Sequence, residues 1–76
     1  MANVNFSNVQ VVSTFASPHS QNAWGLVSGG WHKIQPISVD GVTNFFVVLN
    51  AAKASGRTVS GSYDSATGQL NIIYLN

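Results

Sequence analysis

DGVTNFFVVLNAAKASGR, residues 40–57, is the one part of the chain with a helical pattern, and it separates two groups of predicted strands. Apolar residues recur in it at spacings of three and four, which predicts a helix with an apolar stripe. The residues of that stripe are Phe45, Val48, Leu49 and Ala52. We therefore predict one helix, with strands on either side of it.

The ends of this helix and the rest of its surface carry further signals. Thr43 is the predicted N-cap, since its hydroxyl could accept a hydrogen bond from the first turn. Gly56 suits the left-handed residue that follows a helix. Phe46, Val47 and Ala51 lie outside the stripe, so the helix is apolar nearly all round and should be covered on more than one side. A chain of 76 residues has little to cover the second side, which favours a homo-oligomer.

Three strands are predicted before the helix. Residues 5–15 form one extended segment, but its apolar parity changes partway, which indicates a bulge or a sharp bend. Residues 23–39 contain two alternating runs separated by Gly29-Gly30, and this is a hairpin signal.

Two strands are predicted after the helix, at residues 58–64 and 69–75. The last one is apolar on both faces, so the predicted oligomer interface consists of the helix stripe together with Ile73 and Leu75. The order β-β-β-α-β-β is that of a five-stranded OB barrel, and we expect it to occupy the whole chain, 1–76, as a single domain, assembled as a ring. A sheet with one helix packed on its face is the alternative architecture.

The low charge of the chain favours some classes of function and argues against others. Charged residues make up 7% of the sequence, against about 25% in typical soluble domains, and such a composition is common in extracellular and lectin-like proteins. Three basic residues are too few to follow a phosphate backbone, so we do not expect nucleic-acid binding. No apolar run reaches the ~18 residues of a membrane span. We expect a secreted protein whose signal peptide is not part of this chain.

Residues capable of catalysis or metal binding are scarce. Asp40 and Asp64 have structural interpretations, as a helix-dipole partner and a turn former. His19 and His32, with no cysteine in the chain, make a poor set of metal ligands. No phosphate-binding loop or nucleophile elbow is present. We therefore predict a protein that is not an enzyme and needs no metal or cofactor.

Three aromatic residues could serve either packing or ligand binding. Trp24 and Trp31 flank the central hairpin, and they could fill a core or stack against the apolar face of a sugar. Tyr63 could pack at a strand end or turn its hydroxyl to a ligand. Ser7, taken alone, is an ordinary strand serine.

Two segments add a resemblance to a known family. FSNVQVVSTFASPHSQNAWGLVSG, residues 6–29, resembles the start of the OB-fold B subunits of the subtilase-cytotoxin and typhoid-toxin type, within the pertussis-like AB toxins. FFVVLNAAKASGRTVSGSYD, residues 45–64, is similar to that family's helix and the strand that follows it. The matching residues are Phe6-Ser7, 9–15, Asn22-Ala23-Trp24, Leu26-Val27, Ser55-Gly56, Val59 and Tyr63.

The resemblance implies a fold, an assembly and a ligand. Those B subunits are pentamers whose helices line a central pore, and they bind cell-surface glycans that often end in sialic acid. Carried over by position, the sugar contacts are Ser7 and Tyr63, with Ser7 bonding to a sugar carboxylate or glycerol chain. Trp24, Trp31 and His32 are further candidates. The resemblance also allows for an enzymatic A subunit as a partner, although this chain lacks the family's disulfide cysteines.

Two other functions compete with a lectin. An assembly module of OB type without a sugar site would explain the apolar helix and the two-sided last strand equally well. A single-strand nucleic-acid binder would use Trp24, Trp31 and Tyr63 for base stacking, and it would bind in a strongly salt-dependent way.

Overall fold

The structure is a computed structural model that describes residues 2–76, and it is mainly β with one helix. The elements are β1 (Asn3–Gln10), β2 (Ser13–Ala16), β3 (Ala23–Val27), β4 (Gly30–Lys33), α1 (Val39–Ser55), β5 (Thr58–Asp64) and β6 (Leu70–Leu75). The described residues therefore form six strands rather than the predicted five, because the predicted first strand is divided into β1 and β2. The helix does not have the length and apolarity that crossing a membrane requires.

The strands form two antiparallel sheets of three strands each. The first sheet has the order β1-β5-β6 and the second has the order β2-β3-β4. Residues 2–76 do not close into a barrel, which differs from the predicted architecture. An isolated parallel bridge between Ile34 and Leu70 joins the two sheets through the backbone, and beside it the Gln35 N–H donates to the Leu70 carbonyl at 2.9 Å.

A bulge in β1 explains the change of parity in the first predicted strand. Phe6 pairs with Gly61 and Val9 pairs with Val59, so Ser7 and Asn8 together oppose one residue of β5. Asn8 has a φ of 53°, a left-handed conformation that asparagine tolerates better than most residues. The predicted bulge is thus confirmed.

The β3–β4 hairpin turns one residue earlier than predicted. Ser28 and Gly29 have φ values of 50° and 84°, and Gly30 already pairs with Val27 in β4. Positive φ at both central residues is the geometry of the two-residue turns that suit twisted hairpins.

The N-cap of the helix lies five residues before the predicted one. Ser38 is the N-cap, and its Oγ accepts a hydrogen bond from the Gly41 N–H at 3.0 Å. Thr43 was the wrong residue because it lies one turn inside the helix. Gly56 ends the helix with a φ of 70°, which confirms the predicted C-cap.

The core lies between the helix and the inner faces of the two sheets, and this corrects part of the predicted oligomer interface. Leu49 and Ala52 are 0% exposed within a single chain, so neither can contact a second copy. Phe45, Val48 and Ile73 are half-buried, and Leu75 is exposed. The buried hydrophobic residues are Phe6, Val11, Ala23, Val27, Ile34, Val42, Leu49, Ala52, Val59 and Leu70.

Candidate functional site

Ser7 lies in a shallow cleft on the outer face of the first sheet. Phe6 points into the core, and neighbouring residues of a strand point to opposite faces, so Ser7 points outward. The cleft has a volume of about 300 Å³. Its lining residues are Asn5, Phe6, Ser7, Ser60, Gly61, Ser62, Ile72 and Tyr74. We call it the Ser7 cleft.

Hydrogen bonds hold one end of the cleft in place. The Asn76 amide donates to the Ser60 Oγ at 2.9 Å and to the Asn8 Oδ1 at 2.9 Å. The Asn8 backbone N–H also donates to the Ser60 Oγ, at 3.1 Å. The bulge that carries Ser7 is therefore tied to the neighbouring strand β5 and to Asn76, the residue that follows β6.

A second set of hydrogen bonds holds the other end. The Ser62 Oγ donates to the Asn71 Oδ1 at 2.5 Å, and the Asn71 amide donates to the Asn3 Oδ1 at 2.9 Å. Within residues 2–76, no partner is found for the Ser7 hydroxyl or the Asn5 side-chain amide. These two groups, together with the hydroxyl of Tyr74, are therefore polar groups that the cleft offers to a ligand.

An exposed aromatic ring stands beside these polar groups. Tyr74 pairs with Ser60 across β5 and β6, and 62% of its surface is exposed. No charged residue lines the cleft. The cleft thus combines an aromatic face, a hydroxyl and an amide, all uncharged.

Tyr63 does not lie in the Ser7 cleft. It is on the inner face of β5, where its ring stacks on Phe6 at a centroid distance of 6.4 Å and on His32 at 4.2 Å. The His32 Nδ1–H donates to the Gly68 carbonyl at 2.7 Å. The structure therefore brings Tyr63 and His32 together, both half-buried, and separates them from Ser7.

Trp24 and Trp31 meet on the outer face of the second sheet, together with Phe15. The three rings line an open depression of about 370 Å³, and we call them the aromatic patch. Phe15 and Trp24 are directly opposite each other on β2 and β3. The indole N–H of Trp24 donates to the Asn22 Oδ1 at 2.9 Å, so this ring has a fixed orientation.

The comparisons with known proteins add no relative. No family model, curated protein or solved structure matches this chain. The resemblance to toxin B subunits therefore stays a prediction.

A larger pocket of about 410 Å³ lies between the helix and the β2–β3 connection. Its walls are mostly apolar, with Val42, Phe46 and Val47 on the helix side. Asn50 is one of its half-buried polar residues, and both ends of its amide are engaged: Oδ1 accepts from the Thr14 hydroxyl at 2.8 Å and Nδ2 donates to the Phe46 carbonyl at 2.9 Å. The pocket thus offers a ligand few free polar groups.

The titratable residues are dispersed. Asp40 lies in the first turn of the helix, and the Asp64 Oδ1 accepts from the Ala66 N–H at 2.8 Å in the β5–β6 turn. In the part of the chain that the structure describes, no three residues of the types His, Cys, Asp or Glu come close enough to hold a metal ion.

Sequence analysis missed Asn5, Ser60 and Tyr74 as cleft residues. Tyr74 shares its parity with Leu70, which is buried, so simple alternation places both on one face. The pairing shifts by one residue between Ser62 and Tyr63, and this irregularity turns Tyr74 outward. Phe15 was not predicted in the aromatic patch because its place beside Trp24 depends on the division of the predicted first strand into β1 and β2.

Proposed function

We propose that this protein is a non-catalytic glycan-binding module whose sugar site is the Ser7 cleft. The observation that carries the proposal is an exposed tyrosine ring beside an unpaired hydroxyl and an unpaired amide, in a cleft without charge. A pyranose has an apolar face that stacks on an aromatic ring, and its hydroxyls both donate and accept. Ser7 and Asn5 can satisfy both roles.

A sugar that ends in a carboxylate is compatible with the same groups. The Ser7 hydroxyl and the Asn5 amide can each donate a hydrogen bond to a carboxylate oxygen. Tyr74 takes the place of the aromatic contact that the resemblance assigned to Tyr63, which stacks on His32 instead.

The OB architecture is part of the proposal. β1 and β2 follow each other directly, so they can be regarded as two halves of one bent strand that enters both sheets. The Ile34–Leu70 bridge is parallel and brings β6 beside the end of β4. These two connections support an OB-like arrangement in which the two sheets are halves of an incompletely closed barrel.

A homopentamer is also part of the proposal, and the outer surface of the helix supports it. Val39 and Val47 are exposed on α1, and so are the Thr43 and Ala51 side chains, at intervals of one turn. This stripe replaces Leu49 and Ala52 as the helical contact between copies. Several weak sites on one ring would bind a glycan-covered surface far more tightly than one site. The proposal includes secretion, since a secreted ring could reach the glycans of a cell surface. It holds whether or not an enzymatic A subunit binds to the ring.

The sugar site is tested on a glycan array with labelled protein and three variants. Removing one hydrogen bond should weaken each site by about two- to tenfold, so Ser7→Ala should lose most of the signal, as should Tyr74→Ala. Ser65→Ala is the matched control, because this exposed serine lies in the β5–β6 turn outside the cleft. Silence of the folded wild-type protein, or equal binding by all four, would overturn the proposal.

The assembly is tested by sedimentation and native mass spectrometry. Val47→Lys places a charge on the exposed stripe and should dissociate the ring, whereas Asn44→Lys, at another exposed position of the same helix, should not. A wild-type monomer at high concentration would refute the pentamer. An intact ring that ignores every glycan would instead favour the assembly module.

A further inference from the structure

The side chains of the aromatic patch offer hydrogen-bond donors without acceptors, whereas those of the Ser7 cleft offer both. We propose that Phe15, Trp24 and Trp31 bind a proline-rich peptide segment in the polyproline II conformation. This site lies on the other sheet and does not depend on the glycan proposal. The inference rests on the arrangement of the rings, on their hydrogen-bonding groups and on the spacing of the strands beneath them.

One ring of the patch is held in a fixed orientation, and the other two present their surfaces to solvent. Trp24 is held by Asn22, whose own amide donates to the Ser17 Oγ at 2.7 Å. Phe15 is 49% exposed and Trp31 is 48% exposed. Because Trp24 is already held in place, its ring loses little side-chain freedom when a ligand packs against it.

The side chains of the patch offer donors without acceptors. Among residues 2–76, the indole N–H of Trp31 has no hydrogen-bond partner, and the Asn22 Oδ1 is already occupied by Trp24. Lys33, directly opposite Trp24 on β4, adds three further donors. The complementary ligand therefore brings acceptors and apolar rings, but few donors.

Polyproline meets this requirement better than a sugar or a nucleic acid. Proline has a carbonyl acceptor and no backbone N–H, and proline-rich segments bind in aromatic-lined grooves. The hydroxyls of a sugar would bring donors that the three rings cannot satisfy. A nucleic acid needs neutralised phosphates, and the whole chain has three basic residues.

The distance between the outer two rings can be spanned by a polyproline helix that crosses the strands obliquely. Phe15 is opposite Trp24, whereas Trp31 is opposite Leu26, two residues further along β3. Phe15 and Trp31 are therefore separated by two strand spacings across the sheet, about 9.6 Å, and by about 6.7 Å along it, which together make about 12 Å. Polyproline II rises about 3.1 Å per residue, so a segment of about five residues reaches from Phe15 to Trp31.

The test is an NMR titration of the indole N–H signals with capped decaproline. The Trp31 signal should shift and saturate, while the Trp24 signal, whose N–H stays bonded to Asn22, should move much less. A capped glycine-serine decapeptide is the control ligand and should leave both signals in place. Equal shifts with the two peptides, or none with decaproline, would overturn the proposal.

Variants test separately whether the aromatic rings and the indole N–H of Trp31 contribute to peptide binding. Trp31→Phe keeps an aromatic ring but removes the N–H, and it should bind decaproline about tenfold more weakly. Phe15→Ala should also weaken binding, whereas Ile37→Ala, an exposed apolar residue elsewhere, should bind as the wild type does. A third ligand, a thymidine decanucleotide, distinguishes the other macromolecular class: shifts with it at low salt and none with decaproline would contradict the inference.

Discussion

Gly61 allows β5 and β6 to approach closely, and replacing it by alanine should destabilise the protein severely. A Cβ atom built on Gly61 would overlap the Ile72 carbonyl oxygen and lie 2.8 Å from the Ile72 carbonyl carbon and 3.1 Å from the Ile73 Cα. All three atoms belong to the backbone of β6. Rotation of a side chain therefore cannot relieve the contact, and the two strands would have to separate.

The expected loss of stability follows from this contact. Overpacking a core costs about 1–3 kcal/mol, and a backbone clash belongs at the upper end, about 3 kcal/mol. A domain of this size has about 3–5 kcal/mol of stability from its core. At about 4–8 °C per kcal/mol, Gly61→Ala should lower the melting temperature by about 12–24 °C.

Urea unfolding followed by tryptophan fluorescence and circular dichroism measures the effect, with two other glycines as controls. At Gly30 an added Cβ would meet only the His32 Nε2, at 3.9 Å, so Gly30→Ala should change the free energy of unfolding by less than about 0.5 kcal/mol. At Gly25 it would meet the Leu49 Cδ1 at 3.1 Å, a side chain that can adjust, so Gly25→Ala should be intermediate. If Gly61→Ala were as stable as Gly30→Ala, the close approach of β5 and β6 would be refuted.

Three further predictions concern the helix. Ser38→Ala should cost about 1 kcal/mol in urea unfolding because it removes the N-cap, and an equal cost for Thr43→Ala would contradict the helix start. Gly56→Ala should cost about 1–2 kcal/mol, since a φ of 70° is unfavourable for alanine; a neutral result in thermal unfolding would count against this conformation. Leu49→Ala should cost about 2–5 kcal/mol by leaving a cavity, whereas Val47→Ala, on the exposed side, should alter the stability of the isolated chain little.

The elements with strong local signals were predictable from the sequence. The helix and its Gly56 cap follow from periodicity and from the need for a left-handed residue. The hairpin follows from its glycines, and the bulge follows from the parity change around Asn8. The helix, its cap and the hairpin depend on interactions between residues that are close in sequence. The bulge belongs to the pairing of β1 with β5, but its parity change is visible within β1 alone.

The features that depend on distant residues were not predictable. Leu49 and Ala52 look like an interface stripe until the sheets that cover them are known. Tyr74 faces outward because the pairing of β5 with β6 is irregular near Ser62. No pattern within the sequence of β6 predicts this irregularity. Ser7 and Tyr63 fall on opposite faces for the same kind of reason, because β1 and β5 are paired across most of the chain.

That long-range pairing has a consequence for the order of folding. β3 and β4 are joined by a two-residue turn, and β2 lies beside them in sequence, so the second sheet can form early from local contacts. β1 is synthesised before β5 but can pair only after β5 has been made, since Asn3 pairs with Asp64. Until then β1 is an unpaired strand with free backbone groups, which can associate with other chains. We expect aggregation during synthesis or refolding to begin at this N-terminal strand rather than at the more apolar helix.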